Sequence, residues 1–185
     1  RHLGQLSVRR AVVATGLGLL AIAAGVTFAW RHLAPRSPLV VAVPRPEATG
    51  HPGNEGAALA AAAVREALLS SVVGLDGLMA LSPEAVDAVA GTPVEVARAV
   101  AADEVLTASV DASGSPCRIV LRRLAGADGR MLWTSGVFEV PAGQLRLMAD
   151  SVSAQVRRGY PERRPRQGAF VSAASPEDYA DYLRV

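Results

Sequence analysis

The sequence predicts an α/β (α+β) fold, a five-stranded mixed sheet packed with helices in the order β-α-β-α-α-β-β-β-α, preceded by a single transmembrane helix. Three observations predict it. Ala11 to Trp30, AVVATGLGLLAIAAGVTFAW, runs for twenty residues without a charge, an Asn or a Gln. Between Leu39 and Gly159, short apolar runs alternate with alanine-rich stretches in which apolar residues recur at three and four. Three strand-like runs then follow one another, the last two joined by Asp-Gly, a strong hairpin signal.

The apolar segment comes first. At about 1.5 Å per residue, a helix of this length covers about 30 Å, the thickness of a bilayer's hydrocarbon core. A helix also satisfies its backbone groups internally, as lipid requires. Arg9 and Arg10 flank one end, and Trp30, Arg31 and His32 the other, where headgroups begin. Ala21-Ile22-Ala23 resembles a signal-peptidase site, but the apolar run continues seven residues further, which favours a permanent span over a cleaved signal or a core helix. Arginines on both flanks leave the orientation undecided by charge. Ala14, Gly18, Ala21, Gly25 and Ala29 recur at three and four, a small-residue face on which two spans can pack in a homodimer. The first residue is Arg1, and further chain is expected upstream.

After the tether APRSP, LVVAV (Leu39 to Val43) reads as a buried strand ended by Pro44, and PRPEATGHPGNEG as loop. Asn54 caps a helix to about Val73, with Ala57, Ala61, Val64, Leu68 and Val72 on its apolar face and Glu66 and Ser70 opposite. Leu78 to Leu81 is a second short strand. Ser82-Pro83-Glu84 opens a helix closed by Gly91, and Thr92-Pro93-Val94-Glu95 is a capping box opening another that ends near Ala102. Strands follow at Glu104 to Asp111, Cys117 to Leu124 and Arg130 to Phe138. A final helix runs from Pro141 to Gly159, with Leu145, Met148, Ala149, Val152 and Val156 as its stripe. RRGYPERRPR (Arg157 to Arg166) is too broken by proline and glycine for a helix and reads as a solvated linker. SPEDYADYLRV begins a further helix.

Composition limits the chemistry. All nineteen basic residues are arginine, which with abundant alanine indicates a GC-rich bacterial genome, and the net charge of +2 is too small to imply nucleic acid. The single cysteine, Cys117, excludes an intrachain disulfide and a multi-cysteine metal cluster, and reads as a buried apolar residue. The three histidines, His2, His32 and His51, all precede the bulk of the folded domain, so no triad or zinc site is visible. Asp103, Glu104 and Asp111 read as charges at strand ends near solvent. No catalytic residue, cofactor or metal ligand is assigned.

The stretch VEVARAVAADEVLTASVDASGSPCRIVLRRLAGADGRMLWTSGVFEV resembles the amino-terminal TolB-like domain, related to FlgO. Its "vl.Gsv" matches Asp103, Val105, Leu106, Ser109 and Val110, and its "da.tG..lW" matches Asp128, Gly129 and Trp133. The sequence departs at Pro44-Arg45, where the family has Pro-Phe, and at Ala108 for its glycine. Trp133 itself reads as core. SPEDYADYLRV is similar to the start of tetratricopeptide repeats. The resemblance implies a bacterial inner-membrane, single-pass signalling protein, with a Ser/Thr protein kinase, a nucleotide cyclase or a transcriptional regulator upstream and the residues after 31 extracytoplasmic. The region shown would be its non-catalytic sensor or adaptor, binding a protein partner. The alternative is an envelope accessory protein of TolB/FlgO type. The expected organisation is a cytoplasmic segment (1–10), span (11–30), tether (31–38), TolB-like domain (39–159), Arg/Pro-rich linker (160–174) and repeat start (175–185).

Overall fold

A computed structural model of the chain describes residues 37–50 and 55–166. The chain divides between Ser37 and Pro38, and the described residues belong almost wholly to the second unit. The expected span with its small-residue face (Ala14, Gly18, Ala21, Gly25, Ala29), the cap at Asn54 and the repeat-like SPEDYADYLRV lie outside the described residues.

The second unit is a mixed α+β fold. Its described elements are β1 (Leu39–Ala42), β2 (Glu47–Thr49), α1 (Glu55–Val73), β3 (Leu78–Ala80), α2 (Pro83–Asp87), α3 (Pro93–Ala99), β4 (Glu104–Asp111), β5 (Cys117–Ala125), β6 (Met131–Val140) and α4 (Leu145–Gly159). The sheet order is β3-β1-β4-β5-β6, with β2 also on β4. β3, β1 and β4 run parallel, as crossover helices require, and β4-β5-β6 is an antiparallel meander.

The sheet has six strands, not the five expected, and the order gains a strand after the first. The segment read as loop contains β2. The reason lies on its neighbour: β1 reaches only Glu104 and Val105 of β4, and β2 supplies parallel partners for Ser109 to Asp111, whose backbone groups would otherwise face outward. α4 starts at Leu145 and not at Pro141, because Gly143 stands at φ +80°, outside helical space, while β6 extends to Val140.

Helix starts follow local chemistry. Ser82 accepts from the Ala85 amide, with Pro83 in the first turn of α2. At α3 Thr92 and Glu95 form the reciprocal box, the Glu95 carboxylate accepting from the Thr92 amide at 2.7 Å.

Two apolar clusters sandwich the sheet. α1 and α4 cover one face through Val64, Leu68, Val72, Met148, Val152 and Val156, against Val41, Leu106, Ile119 and Leu121. α2 and α3 cover part of the other through Val86, Val96 and Ala97, against Ala42 and Val105. α1 is the one helix among the described residues long and apolar enough to cross a membrane. Its Ala60, Ala63, Val64, Ala67 and Leu68 are buried within the domain, as a core helix requires.

Arg157 to Arg166 is not a solvated linker. Arg157 to Gly159 belongs to α4, and Tyr160 is among the most buried side chains, 1% exposed. Beyond it the chain straps the α1–β3 turn: the Asp76 amide donates to the Arg164 carbonyl, the Arg166 amide to Gly74, and Pro165 bridges Leu75. Proline and glycine do break the helix, but the backbone groups this frees find partners on the neighbouring turn.

Candidate functional site

β4 opens with two carboxylates that do different work. Asp103 accepts from the Val40 amide at 2.8 Å, fixing the start of β1. Glu104 is 6% exposed, which overturns the expectation of a strand-end charge in solvent. It shares strand parity with Leu106 and Ala108, so it points to the face covered by α1 and α4. Arg123 of β5 donates to both its oxygens, Nε at 2.6 Å and Nη2 at 2.8 Å, and the Tyr160 hydroxyl donates to it at 3.0 Å. Arg123 Nη1 donates to the Gly159 carbonyl at 2.6 Å, and the guanidinium lies 4.1 Å from the centre of the Tyr160 ring.

Burial, then the neighbouring Glu104 charge, pushes the Tyr160 hydroxyl far above its ordinary pKa, so it stays a neutral donor. Each polar atom in the trio has a partner. Such a cluster fastens α4 and the strap to the sheet.

A second cluster ties the two helical layers together at the carboxyl ends of β1 and β3. Arg65 of α1 donates to Asp87 of α2 at 2.6 and 2.9 Å and reaches the Val43 carbonyl at 3.3 Å, while Arg45 donates to Asp87 at 2.9 Å. Burial raises the Asp87 pKa, but hydrogen bonds and charge from Arg65 and Arg45 outweigh it and hold the carboxyl below its ordinary value. A depressed folded-state pKa gives stability that is present above the unfolded value and is lost as pH falls through the folded one. The melting temperature is therefore expected to fall below about pH 3.9, and Asp87→Asn to flatten that fall in thermal melts taken from pH 5 to pH 2. An Asp87→Asn profile parallel to the parent's would contradict the assignment.

The residues singled out by the family resemblance have architectural surroundings. Val105 is buried against α2 and α3, and Leu106 and Val110 against α1 and α4. Ser109 accepts from Arg122 at 2.8 Å. Asp128 accepts from the Arg130 amide, and Gly129, at φ +73°, turns the hairpin beneath Val94, where a Cβ would meet Val94 at 2.5 Å. Trp133 lies over Gly159, with no room between them for a Cβ. Cys117 is free and buried, and burial raises its thiol pKa, so it behaves as a small apolar residue. Among the described residues no group of three or more His, Cys, Asp or Glu is placed to hold a metal.

What stays open is the meander's second face. α2 and α3 stop over Val105, and Thr107, Ser109, Arg122 and Val137 lie beyond them, with Val137 66% exposed and the Arg118–Glu139 pair at its margin. Sequence reading missed both ion clusters because their members stand 19 to 56 residues apart. The one signal available was parity, since Glu104 and Arg123 occupy core-facing positions of their strands.

No protein-family model matches the chain, and no curated protein does. Among solved structures, the LpoB C-terminal domain from Escherichia coli is similar at 18% identity and a TM-score of 0.44, over 58% of this chain and 85% of that one. Lipoprotein GNA1162 from Neisseria meningitidis is similar at 18% identity and a TM-score of 0.45, over 64% and 96% respectively. TolB from Acinetobacter baumannii is similar at 12% identity and a TM-score of 0.45, over 74% of this chain and 31% of that one. Likenesses of this depth assign neither an activity nor a partner.

Proposed function

We propose that the chain is a membrane-tethered, non-catalytic binding module of the bacterial envelope, an accessory domain of TolB/FlgO type. The observation that carries this reading is the uncharged segment Ala11 to Trp30, long enough to span a bilayer and separated by eight residues from the start of β1. The resemblance of residues 94–140 to the TolB-like domain supports the envelope context. The strongest charged clusters, around Glu104 and Asp87, join layers of the fold through carboxylates already held by arginines.

In this account residues 11–30 anchor the protein, 31–38 tether it, and the domain binds a protein partner outside the cytoplasm through the open face around Arg122 and Val137. Pairing of two spans along Ala14, Gly18, Ala21, Gly25 and Ala29 and a repeat array from residue 175 belong to the same proposal. A kinase, cyclase or regulator upstream has no support among the described residues, and the module does not require one.

Alkaline carbonate extraction of membranes from cells expressing the chain tests the anchor. The chain is expected in the pellet, and deletion of residues 11–30 is expected to release it. Extraction of the intact chain into the supernatant would overturn the reading.

A further inference from the structure

The registers bring the amino ends of β1, β3 and β4, the carboxyl end of β5 and the last turns of α1 and α4 to one end of the sheet. Pro38 leads into β1 at that end. The Leu39 amide donates to the Gly77 carbonyl at 2.9 Å, and Arg163 Nη1 donates to the same oxygen at 3.3 Å. The first residue of the sheet and the arginine strap thus share one carbonyl.

Most of the strap's charge is not used inside the domain. The side chains of Arg157, Arg158 and Arg164 are exposed and have no hydrogen bond or ion pair with the described residues, and the Arg166 side chain meets only Asp76, at 3.6 Å on the surface. At the same end of the sheet, Val73 before the α1–β3 turn and Met131 and Leu132 at the start of β6, on the opposite edge, are exposed, at 49%, 53% and 37%. The same end carries exposed Asp76, Asp128 and Glu162, of which Asp128 lies near Arg130 and Glu162 near Arg123 and Arg163; at the opposite end Arg45 and Arg118 are paired to Asp87 and Glu139, and Glu47, Glu55 and Asp111 add negative charge.

Eight residues of tether reach at most about 28 Å. A domain held so close to a bilayer meets it at a high effective concentration, and cations within a Debye length of anionic headgroups are attracted. Arginines and exposed apolar side chains presented at one end of a domain form an interfacial surface.

We propose that this end of the domain docks on a bilayer containing anionic phospholipid, with Arg157, Arg158, Arg164 and Arg166 on headgroup phosphates and Val73, Met131 and Leu132 at the acyl boundary. The proposal rests on the anchor reading of Ala11 to Trp30.

The test uses the full chain with Trp30→Phe, which leaves Trp133, beside the end of α4, as the only tryptophan. It is reconstituted into vesicles carrying a dansyl-headgroup lipid, and energy transfer from Trp133 is measured. Transfer is expected to be stronger in phosphatidylglycerol than in phosphatidylcholine and to fall in 0.5 M salt. Replacing Arg157, Arg158 and Arg164 by alanine is expected to lower the docked-to-undocked ratio about 100-fold. Leu132→Glu, a single exposed change, is expected to weaken transfer as well. Equal transfer in the two lipids, or both variants matching the parent, would overturn the docking surface. Flotation separates the two readings: a chain that fails to float with the vesicles overturns the anchor, whereas one that floats without lipid-dependent transfer overturns docking alone.

Discussion

Replacing Glu104 by alanine is expected to cost the domain about 3–5 kcal/mol, because it leaves the Arg123 guanidinium buried without its counter-charge. Arg123 would keep the Gly159 carbonyl, the face of Tyr160 and the half-exposed Glu162 carboxylate at 3.7 Å, a weaker partner than the buried Glu104. In urea titrations the midpoint should fall by well over 1 M with an unchanged slope, since stability is altered and the area exposed on unfolding is not. The double variant Glu104→Leu/Arg123→Met should regain most of the loss, as both charges are removed together. A single variant within about 1 kcal/mol of the parent would mean that the cluster contributes little to holding the fold.

Tyr160→Ala is expected to be comparably damaging, about 3–5 kcal/mol, through the cavity left by a fully buried ring. Its second effect is local. Tyr160 is the point at which the chain turns from α4 into the strap, so losing the ring should free the bonds after Arg163 and Arg166 to trypsin under conditions in which the parent resists, the Arg164–Pro165 bond being resistant in either state. Tyr160→Phe keeps the ring and removes only the hydroxyl donor to Glu104, which retains both hydrogen bonds from Arg123. That variant should lose about 1 kcal/mol and keep the strap protected. Equal tryptic cleavage of parent and Tyr160→Ala would contradict the role given to the strap.

The fold was legible where its determinants are local. Ser82-Pro83 and the Thr92–Glu95 box mark their helix starts because a cap is settled within four residues. Asp128-Gly129 marks its hairpin because the left-handed turn conformation needs glycine. Strand β2 was not legible. It is three exposed residues without alternation, and it exists only because the carboxyl half of β4 needs a partner. Tyr160 was hidden for a related reason: its proline- and arginine-rich neighbours look solvated, and its burial depends on Glu104, 56 residues earlier. Long-range ion pairs leave no spacing for a sequence reading to find, apart from the strand parity of Glu104 and Arg123.

The account depends most on where the domain lies relative to the membrane. Gly114, in the loop between β4 and β5, has nothing within 4 Å of the place a Cβ would occupy, and the native Cys117 is 4% exposed. A Gly114→Cys chain therefore offers one accessible thiol. Treatment of intact spheroplasts with a membrane-impermeant maleimide-polyethylene glycol is predicted to shift the mobility of this chain while it remains in the membrane fraction, with the parent unshifted. Labelling that appears only after lysis would place the domain in the cytoplasm and contradict the account.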